Sequence, residues 1–161
     1  MEINIELTKK SEILGDGLRS TGDFTKYDIF EKPEIDSFWS KLILKASIEE
    51  SETTQVIAEA ALLPSRCPTS WVNRGQVLIY VKPEFHGKGV GSELIAEIIK
   101  QSRILSLHYL YASIKFSNLT SRRLFTKFGF EENGINPEFF DGEKLICNKR
   151  FNLFLKDAAI D

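Results

Sequence analysis

Apolar and polar positions alternate over residues 2–7, as they do in a half-buried strand. From Thr8 to Ser40 the pattern weakens: Ile13, Leu14 and Leu18 suggest a helix that Gly15 and Gly17 weaken, and Pro33 to Trp39 predicts another with Ile35, Phe38 and Trp39 on one side. Leu42, Leu44, Ala46 and Ile48 then alternate with Ile43, Lys45, Ser47 and Glu49. Gln55 to Leu63 follows the polar link Glu50 to Thr54 as the return strand of a hairpin. Pro64 to Asn73, with two prolines, a cysteine and small polar residues, reads as a loop. Val77 to Val81 is the next strand, and Val90, Leu94, Ile95, Ile98 and Ile99 form the apolar stripe of a helix whose Glu93, Glu97, Lys100 and Gln101 face water. Tyr109 to Phe116 predicts a strand and Leu119 to Phe128 a helix, with Gly129 placed as a C-cap glycine. Leu145 to Phe151 closes the chain as a strand after a turn at Asp141-Gly142. This order predicts a mixed α/β sheet with helices on both faces, in one domain over residues 1–161.

Composition narrows the function. The 161 residues carry 21 basic and 23 acidic side chains, a net charge of −2, with no basic stripe to bind nucleic acid. Cys67 and Cys147 lie far apart without metal-ligand spacing, which suits two ordinary thiols in a reducing cytosol. No apolar run approaches the ~20 residues of a membrane span, and Met1-Glu2-Ile3-Asn4-Ile5-Glu6 is acidic where a signal peptide is basic. The expectation is a cytoplasmic protein that binds neither membrane nor nucleic acid.

The candidate chemistry is concentrated in His86-Gly87-Lys88-Gly89-Val90-Gly91-Ser92, between the Val77–Val81 strand and the Glu93–Ile99 helical stretch. Three glycines free the turn of Cβ atoms, so an anion can lie against the backbone while the first N–H groups of the helix point at it. A Walker A loop needs Gly-Lys-Ser/Thr at its end, and a Rossmann turn needs Gly-x-Gly-x-x-Gly; this segment has neither. His86, Gly89 and Gly91 instead fall on Gln/Arg-x-x-Gly-x-Gly/Ala after a strand reading Val-x-Pro, with His86 replacing the Gln or Arg. In this the segment resembles the acyl-CoA loop of the GNAT superfamily of N-acyltransferases. Asn118-Leu119-Thr120-Ser121-Arg122-Arg123-Leu124-Phe125-Thr126-Lys127-Phe128-Gly129-Phe130, beginning 27 residues after Gly91, resembles that superfamily's second signature, an Asn and a helix ending Leu-Tyr-x-x-x-Gly-Phe.

The resemblance implies a GNAT fold in which the strands Val77–Val81 and Tyr109–Phe116 splay and CoA enters the wedge. The Val81 backbone would bind the pantetheine arm, and the N–H groups of Gly87, Lys88, Gly89, Val90, Gly91 and Ser92 the pyrophosphate. Lys88 and His86 would add positive charge, although His86 also reads as an exposed loop residue. Asn118 would contact CoA or simply cap its helix. Catalysis in the superfamily is direct attack of an amine on the thioester, with a base for the amine proton and an acid for the thiolate. The acid's position is Phe125 here, and the relatives' acidic positions fall on Gly75 and Ser113, so Ser113 holds a catalytic position without a carboxylate. Glu59, within the apolar Val56–Ala61, is the candidate base if buried, with an outward-facing residue as the alternative. Tyr80 and Tyr111 are candidate acids or core aromatics, and Cys147 a candidate nucleophile or an inert buried thiol. Phe139-Phe140-Asp141-Gly142-Glu143 resembles the Tyr-Tyr-x-Asp-Gly turn of some peptide acetyltransferases without its hydroxyls. The expected activity is transfer of acetyl from acetyl-CoA, without metal, to a primary amine of a small molecule or peptide. The alternative is a CoA-binding module of the same fold with a sensor or structural role. The sequence does not separate a monomer from a homodimer.

Overall fold

The computed structural model describes residues 1–21, 41–67 and 69–160. In chain order these form β1 (Asn4–Thr8), α1 (Leu14–Thr21), β2 (Leu42–Glu50), β3 (Thr53–Arg66), β4 (Asn73–Val81), α2 (Val90–Ile104), β5 (Tyr109–Ile114), α3 (Leu119–Lys127), β6 (Glu131–Phe140) and β7 (Leu145–Phe154). Among the described residues the strands make one sheet in the order β1-β2-β3-β4-β5-β7-β6, in which only β4 and β5 are parallel. The helix expected over Pro33 to Trp39 lies outside the described residues. No helix among the described residues is long and apolar enough to cross a membrane.

Two expectations are corrected. Pro64 to Asn73 is not all loop, because β3 runs on to Arg66 and Pro64 pairs with Gly75 of β4. Among the described residues the β2 ladder ends at Leu42 opposite Leu62, so Pro64 lies beyond its last described pair. The strand β6 was not expected at all. Gly134 and Pro137 interrupt its alternation, and its register against β7 shifts at both places, which erases the period of two from the sequence. Asp141 closes the β6–β7 turn as expected, its Oδ1 accepting from Glu143 N and Lys144 N at 2.9 Å each.

The apolar stripe of α2 sets the main core. Val90, Leu94, Ile95 and Ile98 are buried against the sheet face that carries Ala46, Ala58, Ala60 and Leu62, whose small alanines let the helix approach closely. Each large side chain removed from water here contributes about 1.5–3 kcal/mol. On the opposite face, Leu14 and Leu18 of α1 pack over Ile43, Ala61 and Leu78.

Glu59 joins the two halves of that second layer. It is 0 % exposed, and its carboxylate accepts from Ser11 Oγ (2.7 Å), Glu12 N (2.8 Å), Ile13 N (3.0 Å) and Leu14 N (2.9 Å). It thus satisfies the orphan donors at the start of α1 from a neighbouring strand, as a cap residue does from within the chain. Of the two alternatives for Glu59, the buried one holds, with both oxygens taken by donors at the start of α1. Lys45, opposite Glu59 in β2, pairs with Glu12 at 2.7 Å and is raised in pKa chiefly by that bond. Glu59→Ala leaves these donors buried without an acceptor and is expected to lower stability by about 2–4 kcal/mol. A urea titration checks this, and a loss under about 0.5 kcal/mol, the range of ordinary surface changes, would contradict it.

The cysteines are not equivalent. Cys147 is exposed on β7, contrary to the buried-thiol expectation. Cys67 closes the β3–β4 turn, its N–H donating to Val72 O (3.0 Å). The Ser70 and Thr69 hydroxyls, with the amides of both residues, lower its pKa to about 6. Its thiolate therefore forms above about pH 6 and reacts where an ordinary thiol does not. In a Cys147→Ser background, iodoacetamide alkylation should reach half its maximal rate near pH 6, and Thr69→Ala/Ser70→Ala should move that midpoint up toward about 8.5.

Candidate active site

The parallel pairing of β4 with β5 is short. Arg74 pairs with Tyr109, Gly75 with Leu110 and Gln76 with Tyr111, after which the strands diverge. From Val77 to Val81 the β4 edge facing β5 has no strand partner among the described residues, which leaves backbone groups other than Val81 O, taken by His86, open to an extended ligand. The divergence opens a cleft of about 510 Å³, bounded by Ile79 to Val81, the β4–α2 loop and the first turns of α2 and α3.

The loop is built to receive an anion. After a single 3-10 turn over Pro83–Phe85, the His86 ring returns to the strand, its Nε2 2.8 Å from Val81 O. His86 is therefore a strap across the loop rather than a free surface residue. Gly89 has φ of 83°, a left-handed conformation costly for other residues, and as N-cap of α2 it offers no side chain to the helix. The first helical bond runs from Glu93 N to Gly89 O (3.1 Å), so the N–H groups of Val90, Gly91 and Ser92 precede the ladder and line the cleft. Arg123 and Lys127 line it from α3, and Lys127 Nζ donates to Ser92 Oγ at 3.0 Å. Lys88 is exposed beside the Phe85 ring, 5.4 Å from its centroid. Asn118 borders the cleft and caps α3, its Oδ1 accepting from Ser121 N at 3.2 Å. Such a cradle fits a pyrophosphate, with cations on two sides and helix amides at its floor.

Deeper in the wedge a crevice of about 20 Å³ is lined by Ile79, Ser113, Ser121 and Phe125. Phe125 is 2 % exposed and packs edge-on against Phe130, ring centres 4.9 Å apart at 86°. It is a core side chain that touches the crevice. Tyr80 borders the cleft from the α1 side, its ring resting on Gly17 so closely that a Cβ there would overlap it.

Beyond the last β4–β5 pair, the sheet face on the α1 side is polar. In β5, Leu110, Ala112 and Ile114 go to the core while Tyr109, Tyr111 and Ser113 take the other side. Arg150 of β7, opposite Ser113, donates to Asn152 Oδ1 (3.1 Å), Asn136 Oδ1 (3.3 Å) and Tyr109 OH (3.3 Å). The guanidiniums of Arg150 and Arg74 lie 4.2 Å and 5.7 Å from the centre of the Tyr111 ring. Burial raises the Tyr111 pKa, opposed by these two arginines. Ser113 Oγ donates to Glu138 Oε1 of β6, and Asn136 Nδ2 lies 3.2 Å from the same oxygen.

Tyr80, Ser113 and the loop residues are thus brought to one wedge, whereas Glu59 stands behind α1 and Cys147 on the outer surface. At Gly75 a side chain would run into Leu62, Leu107 and Leu110, so no carboxylate fits there. Sequence reasoning missed Arg123 and Lys127, whose spacing of four on α3 was the available signal. It also missed Glu138 and Arg150, for which the irregular β6 offered none.

A mixed sheet opened by one splay beside a helix-capped anion loop is the architecture of the CoA-dependent N-acyltransferases. The Acetyltransferase (GNAT) family model matches residues 25–130, and the chain belongs to that family. Phosphinothricin N-acetyltransferase of Streptomyces coelicolor is 31% identical over 89 residues, covering 55% of this chain and 52% of that protein. L-methionine sulfoximine/L-methionine sulfone acetyltransferase of Pseudomonas paraeruginosa is 35% identical over 60 residues, covering 37% and 35%. The matches thus span about half, or less, of these curated relatives. The crystal structure of an N-acetyltransferase from Staphylococcus aureus superposes with a TM-score of 0.70 at 22% identity, over 97% of this chain and 100% of that one.

The Gly17–Tyr80 contact yields a prediction of sign. Alanine in place of a helical glycine ordinarily stabilises by about 1 kcal/mol. Here Gly17→Ala must displace the Tyr80 ring or lift α1, at about 1–3 kcal/mol, so thermal melting should move down. A rise in Tm would show that Tyr80 does not lie on Gly17.

Proposed function

We propose that the protein is an acetyl-CoA-dependent N-acetyltransferase whose acceptor is the primary amine of a small molecule that also carries a carboxylate. The observation that carries this reading is the wedge: an unpaired β4 edge leads from the Gly87–Ser92 cradle to a crevice beside Ser113. The cradle amides, Lys88, Arg123 and Lys127 hold the phosphates of the donor, and the β4 edge aligns its extended arm. Acetyl-CoA, when bound, supplies the activated acetyl group; the chain's part is to orient an amine against it and exclude competing water. Arg74 and Arg150 support the acceptor class. The partners of Arg150 are neutral oxygens, as is the Ser65 Oγ that takes Arg74 Nε at 3.3 Å, so their positive charge is available to a carboxylate. The names of the two relatives, one acting on L-methionine derivatives, point the same way.

A second reading, a CoA-binding module without turnover, is favoured by Phe125, which offers no proton to a departing thiolate. Release of free CoA from acetyl-CoA, followed with DTNB across amino acids, polyamines and peptides, separates the two. Turnover confined to amino-acid-like acceptors is expected; CoA binding without release with any acceptor would favour the module.

The cradle is tested separately. Gly91→Glu puts a carboxylate at the mouth of the anion loop, where even its Cβ would lie 2.9 Å from Leu124 Cδ2. CoA affinity should fall by at least tenfold, about 1.4 kcal/mol, while Glu93→Ala on the exposed side of α2 should leave it unchanged. Calorimetric titration checks both, and equal affinity in a folded Gly91→Glu variant would overturn the assignment of the cleft.

A further inference from the structure

Neither strand of the wedge carries an acid: Gly75 has no room for one and Ser113 is an alcohol. Yet a carboxylate reaches the wedge from a third strand. Ser113 is the first side chain on the acceptor face beyond the last β4–β5 pair, Gln76 with Tyr111, and it lines the crevice with Ile79, Ser121 and Phe125. Its Oγ–H donates to Glu138 Oε1 on β6. Asn136 braces the pair, with Nδ2 3.4 Å from Ser113 Oγ and 3.2 Å from Glu138 Oε1, and Arg150 NH1 in turn holds Asn136 Oδ1 at 3.3 Å. Glu138 is half-buried, and Ser113 rather than Glu138 is among the residues lining the crevice.

Building on the acetyltransferase reading above, we propose that Ser113 and Glu138 form the proton path for the acceptor amine, Ser113 touching the substrate and Glu138 receiving the proton through it. A hydroxyl alone is too weakly basic to deprotonate an ammonium-like nitrogen, but one hydrogen-bonded to a carboxylate passes the proton on as it arrives. The step balances as follows. The amine nitrogen forms its bond to the acetyl carbon as the carbon–sulfur bond breaks, and sulfur leaves with that electron pair. The nitrogen's proton goes to Ser113 Oγ, and the hydroxyl's own proton moves to Glu138 Oε1. Glu138 then returns its proton to solvent as CoA departs and takes a proton to become the thiol. No phenol at position 125 is required, because a thiolate is a competent leaving group near neutral pH, with a thiol pKa of about 8.5. Among the described residues, Arg150 on β7, Arg74 on β4, Tyr109 and Glu138 all act electrostatically on the Tyr111 phenol, which shares the face of β5 with Ser113. The nearby Arg150, through Asn136, favours the ionised carboxylate that the relay needs.

The test compares the parent with Glu138→Gln, Glu138→Ala and Ser113→Ala, measuring CoA affinity by calorimetry and turnover by CoA release across pH with an acceptor the parent uses. Expected are unchanged CoA affinity, a kcat at least 100-fold lower in Glu138→Gln and Ser113→Ala, loss of the acid limb of the kcat/KM profile in Glu138→Gln, and partial rescue of Glu138→Ala, but not of Ser113→Ala, by added formate. A purely structural role for Glu138 would leave that limb in place and give no rescue. If Glu138→Gln fails to fold, Ser113→Ala carries the test, since it leaves the carboxylate in the chain. Variants within about twofold of the parent, with the acid limb intact, overturn the relay and leave the acetyltransferase reading standing. A parent that binds CoA and releases none with any acceptor overturns that reading, and the relay with it.

Discussion

The brevity of the β4–β5 ladder governs the rest of this molecule. Parallel strands joined through a helix normally continue side by side, because each further pair satisfies backbone groups. Here the pairing stops after three registers, at Gln76 opposite Tyr111. What the sheet forfeits in hydrogen bonds it recovers as a gap with one polar edge. On the helical side the gap is wedged by α2 and α3, where Gly91 lies under Leu124 and Phe125 meets Phe130 edge-on. On the other side Leu18 of α1 borders the crevice with Leu78. The divergence is therefore a packed feature of two layers rather than a fraying of the strands.

The α1 layer hangs on the one carboxylate buried among the described residues. Glu59 belongs to a strand at the centre of the sheet, and it takes up the amides that begin α1, so the helix is tied to the sheet at its first turn. One turn later Gly17 meets Tyr80. The polar anchor sets the position of the helix and the glycine sets its distance. A charged residue in the core is costly unless its lone pairs are filled, and here the orphan donors of a helix terminus fill them. Both burial and satisfaction follow from one arrangement.

Charge is distributed by strand parity. Successive residues of β5 and β7 alternate between a core face and a polar face, so Ser113 and Arg150, partners in register, share a side with Tyr111 and Glu138. Arg123 and Lys127 line the cleft beside the loop, while Arg74 and Arg150 flank Tyr111 on the other face. The two groups of cations thus stand on opposite faces of one sheet, on either side of the gap between β4 and β5.

What the sequence determined by itself was contiguous. The glycine loop from His86 to Ser92, the α2 stripe, and the Asn118 to Phe130 segment each carry their meaning in neighbouring residues, because turn chemistry, capping and helical periodicity act over a few positions. The pairing of the two motifs made the fold legible over the middle of the chain. The polar face around Ser113 was not legible, because it is assembled across strands. Parity placed Glu59 on one of two faces but could not say that the start of α1, more than forty residues earlier, lies on that face and takes its oxygens. Glu138 sits beside a proline in a strand whose register shifts twice, and only the pairing of β6 with β7 and of β7 with β5 carries it to Ser113. Long-range register is set by the packing of the whole sheet, a sum of many weak contacts that leaves no local mark on the residues it brings together.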